Sequence, residues 1–181
     1  RDIKPSNIMV VSGDDDEEKP VVLDFGIAKL FSQGGKSEQR LTRTGEIFGS
    51  PLYMSPEQCM GQATDTRSDI YSLGCLMFET LTGEAPFERS GFLQVILAHI
   101  NAPVRRLEQV APNAGIPPAL SDVISRSMAK GIDERFESMH DFKRALAALG
   151  NGQNGATPVG TAEQNVLAQV TGTVVIGGAA C

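Results

Sequence analysis

A segment of twelve residues, Ile70 to Leu81 (IYSLGCLMFETL), constrains the fold of this chain more than any other part of the sequence. If it is helical, apolar side chains lie on nearly every side of the helix, and such a helix has to be buried all round. Gly83 favours a helix end just after Thr82, and Pro86 prevents the helix from resuming. The sequence therefore predicts a helical body built around one central helix.

Three further helices are predicted after it. Ser90 is suited to cap the first, Pro117–Pro118 precede the second, and Ser138 with Asp141 forms a capping pair for the third. Gly150 is suited to the end of that third helix. Their apolar positions are Phe92, Leu93, Ile96 and Ile100, then Leu120, Val123, Ile124 and Met128, and last Phe142, Leu146 and Leu149.

Two short β-branched segments, Ile8–Val11 and Val21–Leu23, predict a hairpin. The acidic run between them, Asp14 to Glu18, holds five of the 22 acidic residues, and without it the net charge would be −1 instead of −6. Like charges repel, so a solvated loop is the favoured interpretation. A metal site is the alternative, but the run lacks the glycine and the spaced ligands of a calcium loop.

Composition excludes several classes of protein. Hydrophobic residues make up 41% of the chain, which is enough for a core and excludes wholesale disorder. The acidic balance argues against a nucleic-acid partner. Cys59, Cys75 and Cys181 are odd in number and scattered, so neither a disulfide framework nor a zinc site is indicated, and a reducing, cytoplasmic location is expected.

The final residues, 150–181, differ in composition from the rest. They hold seven of the 19 glycines and one charged residue, Glu163, which predicts a flexible linker. The apolar end, from Val170 to Cys181, is shorter than the ~20 residues that span a bilayer. A flexible or extended tail is favoured for it, and the beginning of a membrane helix is the alternative.

Three motifs carry chemistry: Arg1–Asn7 (RDIKPSN), Asp24–Gly26 (DFG) and Gly49–Glu57 (GSPLYMSPE). Asn7 and Asp24, at the two ends of the predicted strand pair, offer the oxygen ligands that magnesium prefers. Asp2 can accept a proton from a hydroxyl, and Lys4 adds a positive charge suited to a phosphoryl group. Together these groups point to phosphoryl transfer.

In this order the motifs resemble the C-terminal lobe of a eukaryotic-type (Hanks-type) protein kinase, and their residues are most similar to those of the bacterial Ser/Thr kinases. The resemblance covers residues 1–149 and includes Ser68–Gly74 (SDIYSLG) and Arg135-Phe136. It implies an α+β, mainly helical fold with a small catalytic hairpin. The N-terminal lobe is expected to be absent from this chain.

The resemblance also implies roles for individual residues. Asp2 is the catalytic base, Lys4 contacts the transferred phosphate of ATP, Asn7 and Asp24 hold Mg²⁺, and Met9 closes the floor of the adenine site. Phe25 is a spine residue within the DFG motif, which Gly26 completes. The Ser50 hydroxyl reaches Asp2 and Lys4. Glu57 forms a buried ion pair with Arg135, and Asp69 anchors the catalytic loop.

Regulation is implied by Arg1, which in such kinases meets a phosphate on the activation loop. Here the predicted loop is long and polar, from Ile27 to Ile47, and its candidate acceptors are Thr42 and Thr44, with Ser37 behind them. A phosphate would add about −1.5 to −2 charge and order the loop. The alternative is that both threonines are simply solvated.

Other residues favour plain roles: His99 and His140 structural or surface positions, Cys59 and Cys75 small apolar fillers. The Gly-rich loop and strand Lys of the kinase family are not in this sequence, so the chain alone is expected to be inactive. Three interpretations remain open: part of an active Ser/Thr kinase acting on protein substrates, a pseudokinase scaffold, and a helical interaction module. Membrane anchoring downstream is a further expectation.

Overall fold

The computed structural model describes residues 2–12, 17–23, 51–87 and 91–151. Two strands, β1 (Ile8–Ser12) and β2 (Glu18–Val22), precede a series of helices. The helices are α1 (Pro56–Cys59), α2 (Thr66–Thr82), α3 (Phe92–Asn101), α4 (Leu107–Val110), α5 (Pro118–Ser127) and α6 (Met139–Asn151). Short 3₁₀ turns cover Pro5–Asn7, Pro51–Tyr53 and Ile132–Glu134. A mainly helical α+β fold is therefore present, as the sequence predicts.

The strands form the predicted antiparallel hairpin, with Ile8 opposite Val22 and Ser12 opposite Glu18. β2 begins at Glu18 rather than at Val21, because backbone pairing continues along the charged residues that the apolar pattern leaves out. Three members of the acidic run, Asp14 to Asp16, lie outside the described residues, while Glu17 and Glu18 are exposed. The exposure of these two agrees with a solvated segment.

Helix α2 is the predicted central helix. It starts earlier than the apolar run because the Asp65 side chain caps it, accepting from the Arg67 N–H over 2.7 Å. It ends where Gly83 adopts φ of +76°, a left-handed conformation that glycine takes without steric cost. Ile70, Tyr71, Cys75 and Phe78 are wholly buried, so α2 lies in the middle of the body.

Helices α5 and α6 pack on α2 and complete the core. The predicted apolar face of α5 is buried at Leu120, Ile124 and Met128. Ser138 caps α6, its Oγ accepting from the Asp141 N–H over 3.2 Å. The helix continues to Asn151, one residue past Gly150. The fully buried side chains of this part of the core are Ile70, Phe78, Leu120, Ile124, Met128 and Phe142.

Helix α3 departs from the sequence prediction. Its N-cap is Gly91 and not Ser90, and no side chain caps it. Its buried residues are Val95, Ala98 and His99, whereas the exposed fractions of Phe92 and Leu93 are 39% and 66%. The reason is that α3 packs on α1 and on the Pro51–Tyr53 turn with one face only, so tertiary contact selects fewer apolar positions than periodicity does.

Gly74 allows α2 and α5 to approach closely. A Cβ at this position would lie 2.2 Å from Ser127 Oγ and 2.8 Å from Met128 Cγ.

We expect Gly74→Ala to lower the free energy of unfolding by about 1–3 kcal/mol, because such overpacking forces the helices apart. Chemical denaturation measures this. Gly150→Ala in α6 is the matched control, since nothing lies within 4 Å of its Cβ, and it should be neutral or stabilising by up to ~1 kcal/mol. Equal stability of the two variants would contradict the prediction.

None of the helices in the described ranges is long and apolar enough to cross a membrane. Residues 152–181 lie outside those ranges. The division into a domain at 1–149 and a linker at 150–181 therefore stays a prediction, as does the alternative of a membrane helix.

Candidate active site

The N-terminal loop brings two predicted site residues, Lys4 and Asn7, onto the carboxylate of a third, Asp2. Lys4 Nζ lies 2.8 Å from Asp2 Oδ2, and Asn7 Nδ2 donates to the same oxygen over 3.1 Å. Asn7 Nδ2 also donates to the backbone carbonyl of Asp2 over 2.7 Å. The side chains of Lys4 and Asp2 are 21% and 19% exposed. The carboxylate is therefore held from two sides and still reachable from solvent.

Proline creates this contact between residues that are five apart in sequence. Pro5 begins the 3₁₀ turn over Pro5–Asn7, directly after extended backbone at Lys4. Its ring presets a helical φ and removes an N–H that would have no partner at this position. The Asn7 N–H closes the turn on the Lys4 carbonyl over 3.0 Å. The turn reverses the chain and brings Asn7 back to Asp2.

The hairpin places Asn7 beside the end of the second strand. The Leu23 N–H donates to the Asn7 carbonyl over 2.8 Å, which continues the pairing of Ile8 with Val22. Asp24 follows Leu23 directly in the sequence and lies outside the described residues. In the sequence, Asn7 directly precedes β1 and Asp24 is the second residue after β2, and these two ends of the hairpin are paired. That both residues bind one magnesium ion stays a prediction.

The hairpin carries uncovered apolar side chains. Met9, Val10 and Leu23 are 47%, 59% and 54% exposed. Exposed apolar groups next to polar catalytic side chains are a usual feature of the surfaces that bind ligands or partner elements. These three side chains are therefore available to a ligand or a partner element, and the adenine contact at Met9 stays a prediction.

A buried ion pair joins Glu57, at the end of the third motif, to Arg135. Arg135 donates from its two terminal nitrogens to the two oxygens of Glu57 over 2.9 and 2.8 Å. Arg135 is 2% exposed and Glu57 5%. The guanidinium also donates to the carbonyl of Ala129 over 2.8 Å and to that of Arg67 over 3.1 Å. The pair therefore ties α1 to α2 and to the loop before α6.

The charge state of Glu57 follows from its partners. Burial alone would raise its pKa, but the hydrogen bonds from Arg135 and Ser68 outweigh burial and lower the pKa to about 2. Ser68 Oγ donates to Glu57 Oε1 over 2.6 Å. Glu57 therefore stays ionised at neutral pH. Its bracing of an activation segment stays a prediction.

The Pro51–Tyr53 turn is fixed to α2 by Tyr53. Ser72 Oγ donates to the Tyr53 carbonyl over 2.7 Å, and the Tyr53 hydroxyl donates to the Glu79 carboxylate. Burial, together with the Glu79 bond, raises the pKa of Tyr53, so the hydroxyl keeps its proton. With Ser55 capping α1, the chain from Tyr53 to Glu57 has a defined position.

The sequence was compared with models of known families. The model of the protein kinase domain matches residues 1–145. This chain belongs to the protein kinase family. The match includes the loop of Asp2, the hairpin and the helices up to most of α6, so the site described above is part of a protein kinase domain.

Three bacterial proteins are among the curated relatives of this chain. The chain is 34% identical over 161 residues to the serine/threonine-protein kinase PknB of Mycobacterium tuberculosis, covering 87% of this chain and 24% of the relative. It is 40% identical over 148 residues to PknD of the same species, covering 82% and 20%. It is 38% identical over 153 residues to pkn3 of Myxococcus xanthus, covering 82% and 27%. The chain thus spans about a quarter of the length of these relatives.

Some of the predicted kinase residues lie within the described residues and others do not. Within the described residues, Asp2, Lys4 and Asn7 are in contact, and so are Glu57 and Arg135. Asp69 lies half-buried in the first turn of α2. The anchoring role of Asp69 stays a prediction. The second group lies outside the described residues, so its predicted roles stay predictions: Arg1, Asp24, Phe25, Gly26, Thr42, Thr44 and Ser50.

The histidine and cysteine predictions have mixed outcomes. His99 is wholly buried, so the surface alternative is wrong for it, while His140 is exposed. Cys59 is half-buried and Cys75 buried, which agrees with apolar fillers. Burial, with the Glu57 charge, raises the pKa of Cys59 to about 11, so its thiol is unreactive at neutral pH.

Sequence reasoning missed the contacts of Ser68 and Lys130. Ser68 Oγ donates to Glu57, and Lys130 Nζ donates to the His99 carbonyl over 2.8 Å. No local pattern predicts either contact, since each partner lies on another helix. Within the described ranges, no group of three or more His, Cys, Asp or Glu side chains is arranged to hold a metal.

Proposed function

We propose that this chain is the C-terminal lobe of a bacterial-type Ser/Thr protein kinase, which transfers the γ-phosphate of ATP to serine and threonine hydroxyls of proteins. The observation that carries the proposal is the convergence of Lys4 and Asn7 on the Asp2 carboxylate. The relatives, named serine/threonine-protein kinases, support the same reaction.

Asp2 is the base in this proposal. Its carboxylate is orientated by Asn7 and remains partly exposed, so an incoming hydroxyl can reach it and give up its proton. A base acts only when it lies within hydrogen-bond reach of that proton. Lys4 lies beside the carboxylate with a positive charge, which favours the negative charge of a phosphoryl group at the same place.

Asn7 and Asp24 are the proposed magnesium ligands. Asn7 uses Nδ2 for both of its bonds to Asp2, which leaves its amide oxygen as the atom that suits a hard cation. An amide and one carboxylate fit Mg²⁺, which commonly takes one or two protein oxygens and fills its shell with phosphate oxygens and water. When bound, the ion neutralises phosphate charge.

The remaining parts of an ATP site are proposed to come from an N-terminal lobe. The exposed side chains of Met9, Val10 and Leu23 support this, because they offer an apolar surface next to the catalytic loop. We propose that adenine packs on Met9 and that the lobe covering the phosphates closes over the hairpin.

The full-length protein, incubated with Mg²⁺, γ-labelled ATP and peptides containing Ser, Thr or Tyr, is expected to label Ser and Thr. Chelation of magnesium by EDTA should reduce labelling to background, since the proposed ligands act on phosphate only through the ion. Mass spectrometry identifies the labelled residue. Labelling of tyrosine alone, or tight ATP binding without any transfer, would refute the proposal, and the second result would favour a pseudokinase scaffold.

A further inference from the structure

A cavity of about 620 Å³ lies at the surface between α5 and the start of α6. Its volume falls within the usual range for sites that bind small molecules, which is about 300–1,000 Å³. The cavity shares no residue with the group around Asp2 or with the ion pair of Glu57 and Arg135, so the proposed phosphate transfer gives it no role. The residues that line it are Arg126, Phe136, Glu137, Asp141, Arg144 and Ala145.

An aromatic ring holds the guanidinium of Arg126 at this cavity. The central carbon of the guanidinium lies 4.3 Å from the centroid of the Phe136 ring, and that ring is stacked on Phe142 with centroids 5.1 Å apart. Phe136 and Phe142 are 4% and 1% exposed, so the stack is built on the core. Contact with an aromatic face uses the charge of a guanidinium but not its N–H donors. Among the described residues, no oxygen accepts a hydrogen bond from the Arg126 side chain.

Glu137 brings an unpaired charge of the opposite sign to the same cavity. Its side chain is exposed, and it forms no hydrogen bond or ion pair with Arg126 or with any other residue that the structure describes. The remaining two charged residues satisfy each other, since Arg144 donates to Asp141 Oδ1 over 2.6 Å. Ser138 Oγ donates to Asp141 Oδ2 over 2.6 Å. The cavity therefore presents one guanidinium and one carboxylate whose hydrogen-bonding groups are available to a ligand.

We propose that this cavity binds a small zwitterion, a molecule with both an ammonium and a carboxylate group, such as a free α-amino acid or a short peptide with free termini. The carboxylate accepts from Arg126, because the planar fork of a guanidinium matches the two oxygens of a carboxylate. The ammonium donates to Glu137. A ligand with a single charge would take water from the opposite charge of the cavity without replacing its hydrogen bonds, which costs free energy.

Calorimetric titration of the full-length protein with the standard free L-amino acids and with their glycyl dipeptides tests the proposal. We expect members of one panel to bind, and the panel with the tighter Kd identifies the source of the zwitterion. The N-acetyl form of the tightest ligand lacks the ammonium, and its amide lacks the carboxylate. Each should bind at least roughly 10-fold more weakly, the effect of one lost hydrogen bond between charged groups.

Two substitutions assign the two charges of the ligand. Arg126→Gln should bind the zwitterion and its amide equally, whereas Glu137→Gln should bind the zwitterion and its N-acetyl form equally. Arg105→Gln and Glu84→Gln are the matched controls, since that exposed pair lies outside the cavity, and both should keep the wild-type Kd. The proposal is overturned if neither panel binds the wild type, if the blocked ligands bind as tightly as the free one, or if the control variants weaken binding as much. Binding requires no phosphate transfer, so these outcomes are independent of the proposed function.

Discussion

Replacing Asp2 by Asn in the full-length protein is expected to lower kcat for phosphate transfer by about 10²- to 10⁴-fold, the usual contribution of a general base. Asn has nearly the same shape and its oxygen can still accept from Asn7 and Lys4, but it cannot take the hydroxyl proton. The loss should therefore appear in kcat and in kcat/KM alike, with KM for ATP little changed. Steady-state kinetics with a peptide substrate measures both constants.

Asp122→Asn is the matched control for this substitution. Asp122 is an exposed carboxylate of α5 whose side chain is 67% exposed and pairs with Arg106. The same change of charge there should leave kcat unaltered. If Asp2→Asn retains more than a tenth of the wild-type kcat, or if Asp122→Asn loses as much as Asp2→Asn, the role of Asp2 as the base is refuted.

Replacing Glu57 by Gln is expected to lower the free energy of unfolding by about 3–5 kcal/mol, because it leaves the Arg135 guanidinium buried without a counter-charge. Arg135 is 2% exposed, so water cannot take over the role of the lost carboxylate. Arg135→Met leaves Glu57 as a buried unpaired charge and should cost a similar amount. The double variant should lose less than the sum of the single losses, since neither charge then remains alone.

Glu84→Gln is the control for the charge change itself. The pair of Glu84 with Arg105 has exposed fractions of 53% and 47%, and such surface pairs contribute at most about 1 kcal/mol. Urea denaturation of each variant gives the free energies. A loss of less than about 1 kcal/mol in Glu57→Gln, no more than a surface pair is worth, would contradict the proposed importance of the buried pair.

The pH dependence of stability has a definite sign. The pKa of Glu57 is lowered in the fold to about 2, while that of an unfolded Glu is ~4.3. Its contribution is therefore complete above the unfolded value and is lost as the pH falls from there through about 2. The wild type should lose more stability over this range than Glu57→Gln does, because Gln does not titrate.

Local chemistry made much of the site predictable. The hairpin, the central helix and the Ser138 cap each depend on neighbouring residues, and each is present. The approach of Asn7 to Asp2 is also local, because Pro5 and the 3₁₀ turn bring together two residues that are five apart in sequence.

Burial on α3 was not predictable in the same way. The periodicity of α3 allows Phe92 and Leu93 to face the core. In the fold, α1 and the Pro51–Tyr53 turn cover only one face of the helix, and the residues buried on that face are Val95, Ala98 and His99. Lys130 shows the same limit: its neighbours in space, Tyr71 and His99, are 59 and 31 residues away along the chain. A pattern of neighbouring residues cannot predict a contact between residues so far apart in sequence.

By itself, the sequence determined the hairpin, the four longer helices and the motifs of a kinase domain, since turns, caps and apolar periods act over a few residues. Only the tertiary structure decided which buried polar groups meet. The Glu57–Arg135 fork joins residues 78 apart, and its extra bonds to Ser68 and to backbone carbonyls exist only once α1, α2 and the loop before α6 are packed together. A buried charge is stable only where packing supplies all of its partners at once, and that condition belongs to the whole fold.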